Sequence, residues 1–83
     1  MIKNTLIRGK QVRAARGGRS NSSHWLDIKK GLWTRPIHIG PHSSTWPLEE
    51  VEILNAAYIA GKSNDEIREL VAHLHAKRQG GES

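Results

Sequence analysis

Gly18-Arg-Ser-Asn-Ser-Ser-His-Trp-Leu-Asp-Ile-Lys-Lys-Gly-Leu-Trp33, followed by Thr34-Arg-Pro-Ile-His-Ile-Gly-Pro-His-Ser-Ser-Thr-Trp46, decides how this 83-residue chain is read. Ser20 has the character of a helix N-cap, because its hydroxyl can accept from the free N–H groups of the next turn. The predicted helix runs from Asn21 to about Lys30 and stops at Gly31, as helices that end in a left-handed residue do. Trp25, Ile28 and Leu32 recur at spacings of three and four and predict one buried stripe. The first turn, Asn21, Ser22, Ser23 and His24, is made of polar groups able to hydrogen-bond outward. After Gly31 the chain changes character. Ile37 and Ile39 alternate with His38 as in a half-buried strand, Gly40-Pro41 marks a turn, and Trp46 belongs to the returning strand. Pro36 and Pro41 confine such strands to an edge or to polyproline-like geometry.

Working outward, residues 8–16 suit a short helix with Val12 and Ala15 inward, broken by Gly17-Gly18. Residues 1–7 read as an edge strand or an arm. Pro47 opens the next helix as its first residue, with Glu49, Glu50 and Glu52 in the early turns. Val51, Leu54, Ala57 and Tyr58 form its inner face, and Gly61 ends it. Ser63-Asn-Asp-Glu66 is a capping box. Ile67, Leu70, Val71 and Leu74 then repeat at helical spacing over a last helix, 64–78. Residues 79–83 read as a disordered tail. The whole is one domain, residues 1–78, mainly α with a small β-hairpin.

Composition narrows the function. A chain of this length buries only roughly 60–65% of its unfolded surface, so its core is thin. With no cysteine there is no disulfide, no Cys-ligated zinc and no thiol nucleophile. No apolar run approaches the roughly 20 residues of a spanning helix, and no secretory pattern is present, so a cytoplasmic, nucleoid-associated protein is expected, with no membrane partner. The net charge of +5 is divided unevenly. Residues 1–46 carry nine Lys and Arg against one acid, Asp27, a net of +8; residues 47–83 carry four against seven, a net of −3. One half is expected to face phosphate and the other a different surface.

Helix, glycine turn, Ser-capped helix and proline-bearing hairpin, in that order, describe a winged helix-turn-helix with an added C-terminal helix. Its second helix would enter the major groove, and the hairpin would lie along the duplex. The segment 18–33, with Arg35-Pro-Ile-His-Ile-Gly-Pro-His42 and Trp46-Pro-Leu-Glu-Glu-Val51, resembles the AlpA-type prophage regulators and the excisionases, or recombination directionality factors, with their MerR-like winged helix-turn-helix. The likeness covers roughly residues 9–60. Thr34-Arg35 stands between the aromatic and Pro36, where the family places proline directly, and the helix over 64–78 lies outside the family pattern. The resemblance implies a regulator of a mobile element. Such proteins bind repeated sites cooperatively, bend DNA and direct a tyrosine recombinase towards excision; others activate transcription of the element's genes.

The residues expected at double-stranded DNA, whether attachment site or promoter, are Arg13, Arg16, Arg19, Ser20, Asn21, Ser22, Ser23, His24, Lys29, Lys30, Arg35, His38 and His42. The cations would clamp phosphates, and the first turn of the second helix would read bases. Trp25, Trp33 and Trp46 are expected in the core. No cofactor or metal is expected: His38 and His42 lie in a hairpin, and no acid or cysteine completes a tetrahedral set. No nucleophile–base arrangement marks an enzyme. The charge polarity also points to head-to-tail contact between copies on DNA. Two other readings remain open: a transcriptional activator that contacts RNA polymerase through residues 49–78, and a protein-interaction module such as an antirepressor.

Overall fold

The structure, a computed structural model, describes residues 5–80. The expectations for Met1–Asn4 and for the tail residues 81–83 lie outside that range. The element order is β1 (Leu6–Arg8), α1 (Gly9–Ala15), α2 (Asn21–Lys29), β2 (Ile37–Gly40), β3 (Ser43–Pro47), α3 (Leu48–Ile59) and α4 (Asn64–Gly80). Four helices and one small antiparallel sheet make a mainly α fold, as expected. The last helix runs on through Gln79 and Gly80, so those two residues are not part of a tail.

The turn from α1 to α2 is built by its glycines. Gly17 and Gly18 have φ of +83° and +81°, values that a side chain disfavours. This lets the Gly18 N–H donate to the Arg13 carbonyl at 3.0 Å, closing the end of α1. Two residues later Ser20 starts α2, its hydroxyl accepting from the Ser23 N–H at 3.2 Å. At the other end Gly31, also left-handed, allows the Leu32 N–H to reach the Asp27 carbonyl at 2.8 Å.

The sheet is larger than the expected hairpin. Its order is β1-β3-β2, antiparallel throughout, so the returning strand is central and the short N-terminal strand flanks it. Ile7 pairs with Trp46 and Arg8 with Thr45, while Ile37 faces Thr45 from the other side. The prolines fit this ladder: Pro36 precedes β2, Pro41 sits in the turn, and Pro47 ends β3. Pro47 is the N-cap of α3, not its first helical residue, and the Leu48 N–H donates to the Thr5 carbonyl at 2.8 Å.

The core lies between the sheet and the helices. Val12, Trp33, Trp46, Val51, Leu54, Ala57, Ile67, Val71 and Leu74 are buried, with Ile7, Ile28, Leu32, Ile53 and Leu70 packed against them. Ala15, expected inward, is exposed. Its carbonyl instead accepts from Asn55 Nδ2 of α3 at 3.1 Å. Tyr58 keeps its ring half outside and donates its hydroxyl to the Leu32 carbonyl at 2.6 Å. The capping box forms as read: Ser63 N–H donates to Glu66 Oε1 at 2.8 Å and Glu66 N–H to Ser63 Oγ at 3.2 Å. A second tie joins α4 to α3, where Arg78 grips the buried Glu50 with Nε at 2.8 Å and Nη2 at 2.6 Å. Among the described residues, no helix is long and apolar enough to cross a membrane.

Candidate nucleic-acid interface

The inner face of α2 is polar. His24 and Asp27 are buried there, with Ile28 beside them, whereas the stripe read from the sequence ran through Trp25, Ile28 and Leu32. At about 100° per residue, moving the buried line from Trp25 to His24 turns the helix by roughly a quarter turn. Asp27 explains the rotation. Its carboxylate accepts from Arg16 Nη2 at 2.8 Å, Arg19 Nε at 2.9 Å and Arg19 Nη2 at 3.0 Å. Arg16 spends another donor on His24 Nδ1 at 2.9 Å and lays its guanidinium 4.1 Å from the centre of the Trp33 ring. A carboxylate held by three charge-assisted hydrogen bonds is stable where a lone one is not.

The electrostatics follow from that packing. Burial pushes the Asp27 carboxyl up, but the hydrogen bonds and charges of Arg19 and Arg16 outweigh it and hold the group below its ordinary value. The hydrogen bond to Asp27 in turn raises the Arg19 guanidinium. His24 goes the other way. Burial, and then the cations of Arg16 and Arg13, take its imidazole from 6.5 down to about 4, with Asp27 opposing. The ring is therefore neutral at pH 7. Since Arg16 donates to Nδ1, the proton sits on Nε2. Trp25, Trp33 and Trp46 surround it edge-on, with ring centres 5.8, 6.2 and 5.0 Å away.

Two of the residues expected at DNA are thus interior. His24 is 1% exposed and the Arg16 side chain 6%, and both belong to the joint between α1 and α2. Arg19 keeps a partly open side chain but directs its fork at Asp27. Ser20 is a cap and Ser23 is half-buried beside it. Arg13 is also half-buried. Asn21, Ser22, Lys29, Lys30, Arg35, His38 and His42 are exposed.

The outward face of α2 carries what the sequence reading missed. Asn21, Ser22, Trp25, Leu26 and Lys29 are all exposed and share one side of the helix, away from His24 and Asp27. Trp25, expected in the core, is 40% exposed, and Leu26 is 48% exposed. Trp25 leans on Trp46 at 5.9 Å between ring centres and donates its indole N–H to Asn21 Oδ1 at 3.1 Å. This side therefore presents an amide tied to an indole edge, with the exposed Ser22 hydroxyl on the same side. The signal for this face was present: one acid among nine cations calls for an internal partner, and placing Asp27 inward puts Trp25 and Leu26 outward.

The hairpin reaches this face through Trp46 of β3, against which Trp25 leans. Thr45 Oγ1 donates to the Ile37 carbonyl at 2.8 Å, and the ladder slips between His38 and Gly40, which leaves Ile39 59% exposed. His38 Nδ1 lies 3.4 Å from Ser44 Oγ. Among the described residues, no three His, Cys, Asp or Glu side chains gather as a metal ion would require.

Comparison with models of protein families, with curated proteins and with solved structures finds no significant match to this chain.

Proposed function

We propose that this chain is a sequence-specific DNA-binding protein of winged helix-turn-helix type. In this reading α1, its glycine turn and α2 form the helix-turn-helix, and the β2–β3 hairpin is the wing. The observation that carries the reading is the fate of Asp27. The one acid of residues 1–46 is buried and spent on Arg16 and Arg19, so the exposed charges of that half are cations: Arg8, Lys10, Lys29, Lys30 and Arg35 beside the partly paired Arg19. Exposed cations with no exposed acid in the same segment, among the described residues, are what a duplex attracts. Asn21 and Ser22 supply hydrogen bonds to base edges, and Trp25 and Leu26 supply apolar contact of the kind that recognises thymine methyl groups. Lys29, Lys30 and Arg35 contact phosphates, with His38 and His42 at the wing.

The role is that of an excisionase: cooperative binding at an attachment site, bending of the duplex, and direction of a tyrosine recombinase towards excision. The resemblance of residues 9–60 supports it, as does the split of charge. Glu49, Glu52, Asp65, Glu66 and Glu69 lie exposed on α3 and α4, carboxylates that suit the cations of a second copy in head-to-tail order along DNA. The same carboxylates also suit contact with RNA polymerase, the alternative of a transcriptional activator. The chain acts by binding and not as an enzyme, in the cytoplasm at the nucleoid.

The test is a gel shift on duplexes selected from a random-sequence pool, with scrambled duplexes as controls. Selective, stepwise and cooperative shifts are expected. If six phosphates are neutralised, log K falls with log salt at a slope of about −5. Equal and non-cooperative binding to both duplexes removes the excisionase reading; weak binding to any duplex leaves the protein-interaction module.

A further inference from the structure

Arg35 is exposed, yet both polar groups of its backbone are held by another element of the fold. Its N–H donates to His75 Nε2 at 3.0 Å and its carbonyl accepts from Arg78 Nη2 at 2.9 Å. Both partners come from α4, forty and forty-three residues away. Arg78 is itself locked, because the same Nη2 and its Nε grip the buried carboxylate of Glu50. A little earlier in the loop, Arg68 Nε donates to the Lys30 carbonyl at 2.9 Å, so α4 also holds the end of α2. Between these ties lies a groove of about 310 Å³ in which Lys29, Arg35, Arg68 and His75 meet around Trp33. The cations of two segments are thus brought together by α4, a helix that also supplies Ile67, Val71 and Leu74 to the core.

We infer that α4 is a strut for the DNA-binding surface: His75 and Arg78 are positioning residues that fix the Arg35 backbone from both sides, so that its guanidinium is presented beside Lys29 to the phosphate backbone of a duplex. The inference rests on the DNA-binding reading above. The physical argument is one of entropy. A contact made by a loop arginine loses whatever it costs to order the loop, and a backbone already hydrogen-bonded on both sides has lost that freedom before the duplex arrives. Both backbone bonds cross between distant parts of the chain, so they restrain the loop and not merely its own turn.

The experiment is a double-mutant cycle on the full chain with a selected duplex, read as Kd and salt slope. Arg35→Ala is expected to weaken binding about tenfold and to lower the salt slope by about 1. His75→Leu removes the acceptor and, with Arg35 present, is expected to weaken binding by about threefold, half of that loss in free energy. In the Arg35→Ala background it is expected to change Kd by less than about twofold. His75→Gln, which restores an acceptor, is expected to return affinity towards that of the wild type. Amide exchange at Arg35 reports the bond without DNA: it is expected to quicken in His75→Leu and to slow again in His75→Gln. Arg78→Lys keeps a cation beside Glu50 while losing the fork, and it serves the same cycle if His75→Leu does not fold. Losses at 35 and 75 that simply multiply overturn the inference and leave DNA binding standing. So does selective binding by a folded Arg35→Ala protein at unchanged affinity. A wild-type chain that binds no duplex overturns both.

Discussion

Lowering the pH should unfold this protein through His24. The imidazole is 1% exposed and takes a value of about 4 when folded, against 6.5 for the free side chain. Between those values the unfolded chain binds a proton that the folded chain refuses, so acid favours unfolding. The contribution is fully present above about pH 6.5 and is lost as pH falls to about 4. A gap of about 2.5, at about 1.4 kcal/mol for each tenfold step, makes about 3 kcal/mol. Set against a total of roughly 4–12 kcal/mol for a chain of this size, that is a large share. Burial is the first cause and the cation of Arg16 the second: a second proton would have to enter at Nδ1, where the Arg16 guanidinium already donates at 2.9 Å. Urea unfolding followed by tryptophan fluorescence suits the measurement, since three indoles surround the ring. His75 is also lowered, by burial and then by Arg35 and Arg78, with Glu50 opposing, and it adds a loss of the same sign. The wild type is therefore compared with His24→Gln at each pH. The stability difference between them should shrink by about 3 kcal/mol from pH 7.5 to pH 4. A difference that stays constant over that range would refute the assignment of a buried neutral imidazole.

Trp46→Ala should cost about 3–5 kcal/mol in urea unfolding, since the ring is fully buried. Trp25→Ala should cost less than about 2 kcal/mol because much of that ring already meets water, while weakening selective DNA binding measured by gel shift. Asp27→Asn should cost about 3–5 kcal/mol by leaving the buried Arg16 without its counter-charge, with the loss read in the same unfolding assay. Gly17→Ala should lower stability by about 1–2 kcal/mol from backbone strain alone, because no atom lies within 4 Å of the added methyl; a thermal melt checks it.

Local signals in the sequence translated well into structure. Ser20 and Gly31 bracket α2, Gly17-Gly18 turns the chain before it, and the Ser63–Glu66 box starts α4, because each acts through neighbours in the chain. What failed to show depends on partners far along the sequence. Residues 1–7 read as an edge strand or an arm, and Leu6–Arg8 is the strand because β3, some forty residues on, offers an edge. The inward side of α2 was misread because apolarity was taken as the guide to burial. Here an ion pair supplied by Arg16 and Arg19 makes burial of Asp27 favourable, and His24 follows it inward. The candidate site inherited that error. Arg16 and His24 look like contact residues in the sequence and are structural, whereas Trp25 and Leu26 look like core and face outward.

The long reach of α4 also sets an order of events during translation. The sheet can close once Pro47 has left the ribosome, because β1, β2 and β3 are then all present. Arg78 comes later: at roughly 5–20 residues per second, the stretch between them takes about 2–6 s to make. Throughout that interval Glu50 has no guanidinium to neutralise it and the Arg35 carbonyl has no donor from α4. A nascent chain can thus close its sheet before α4 holds Arg35. If the proposed role in DNA binding holds, firm grip on a duplex would arrive only when α4 has been made.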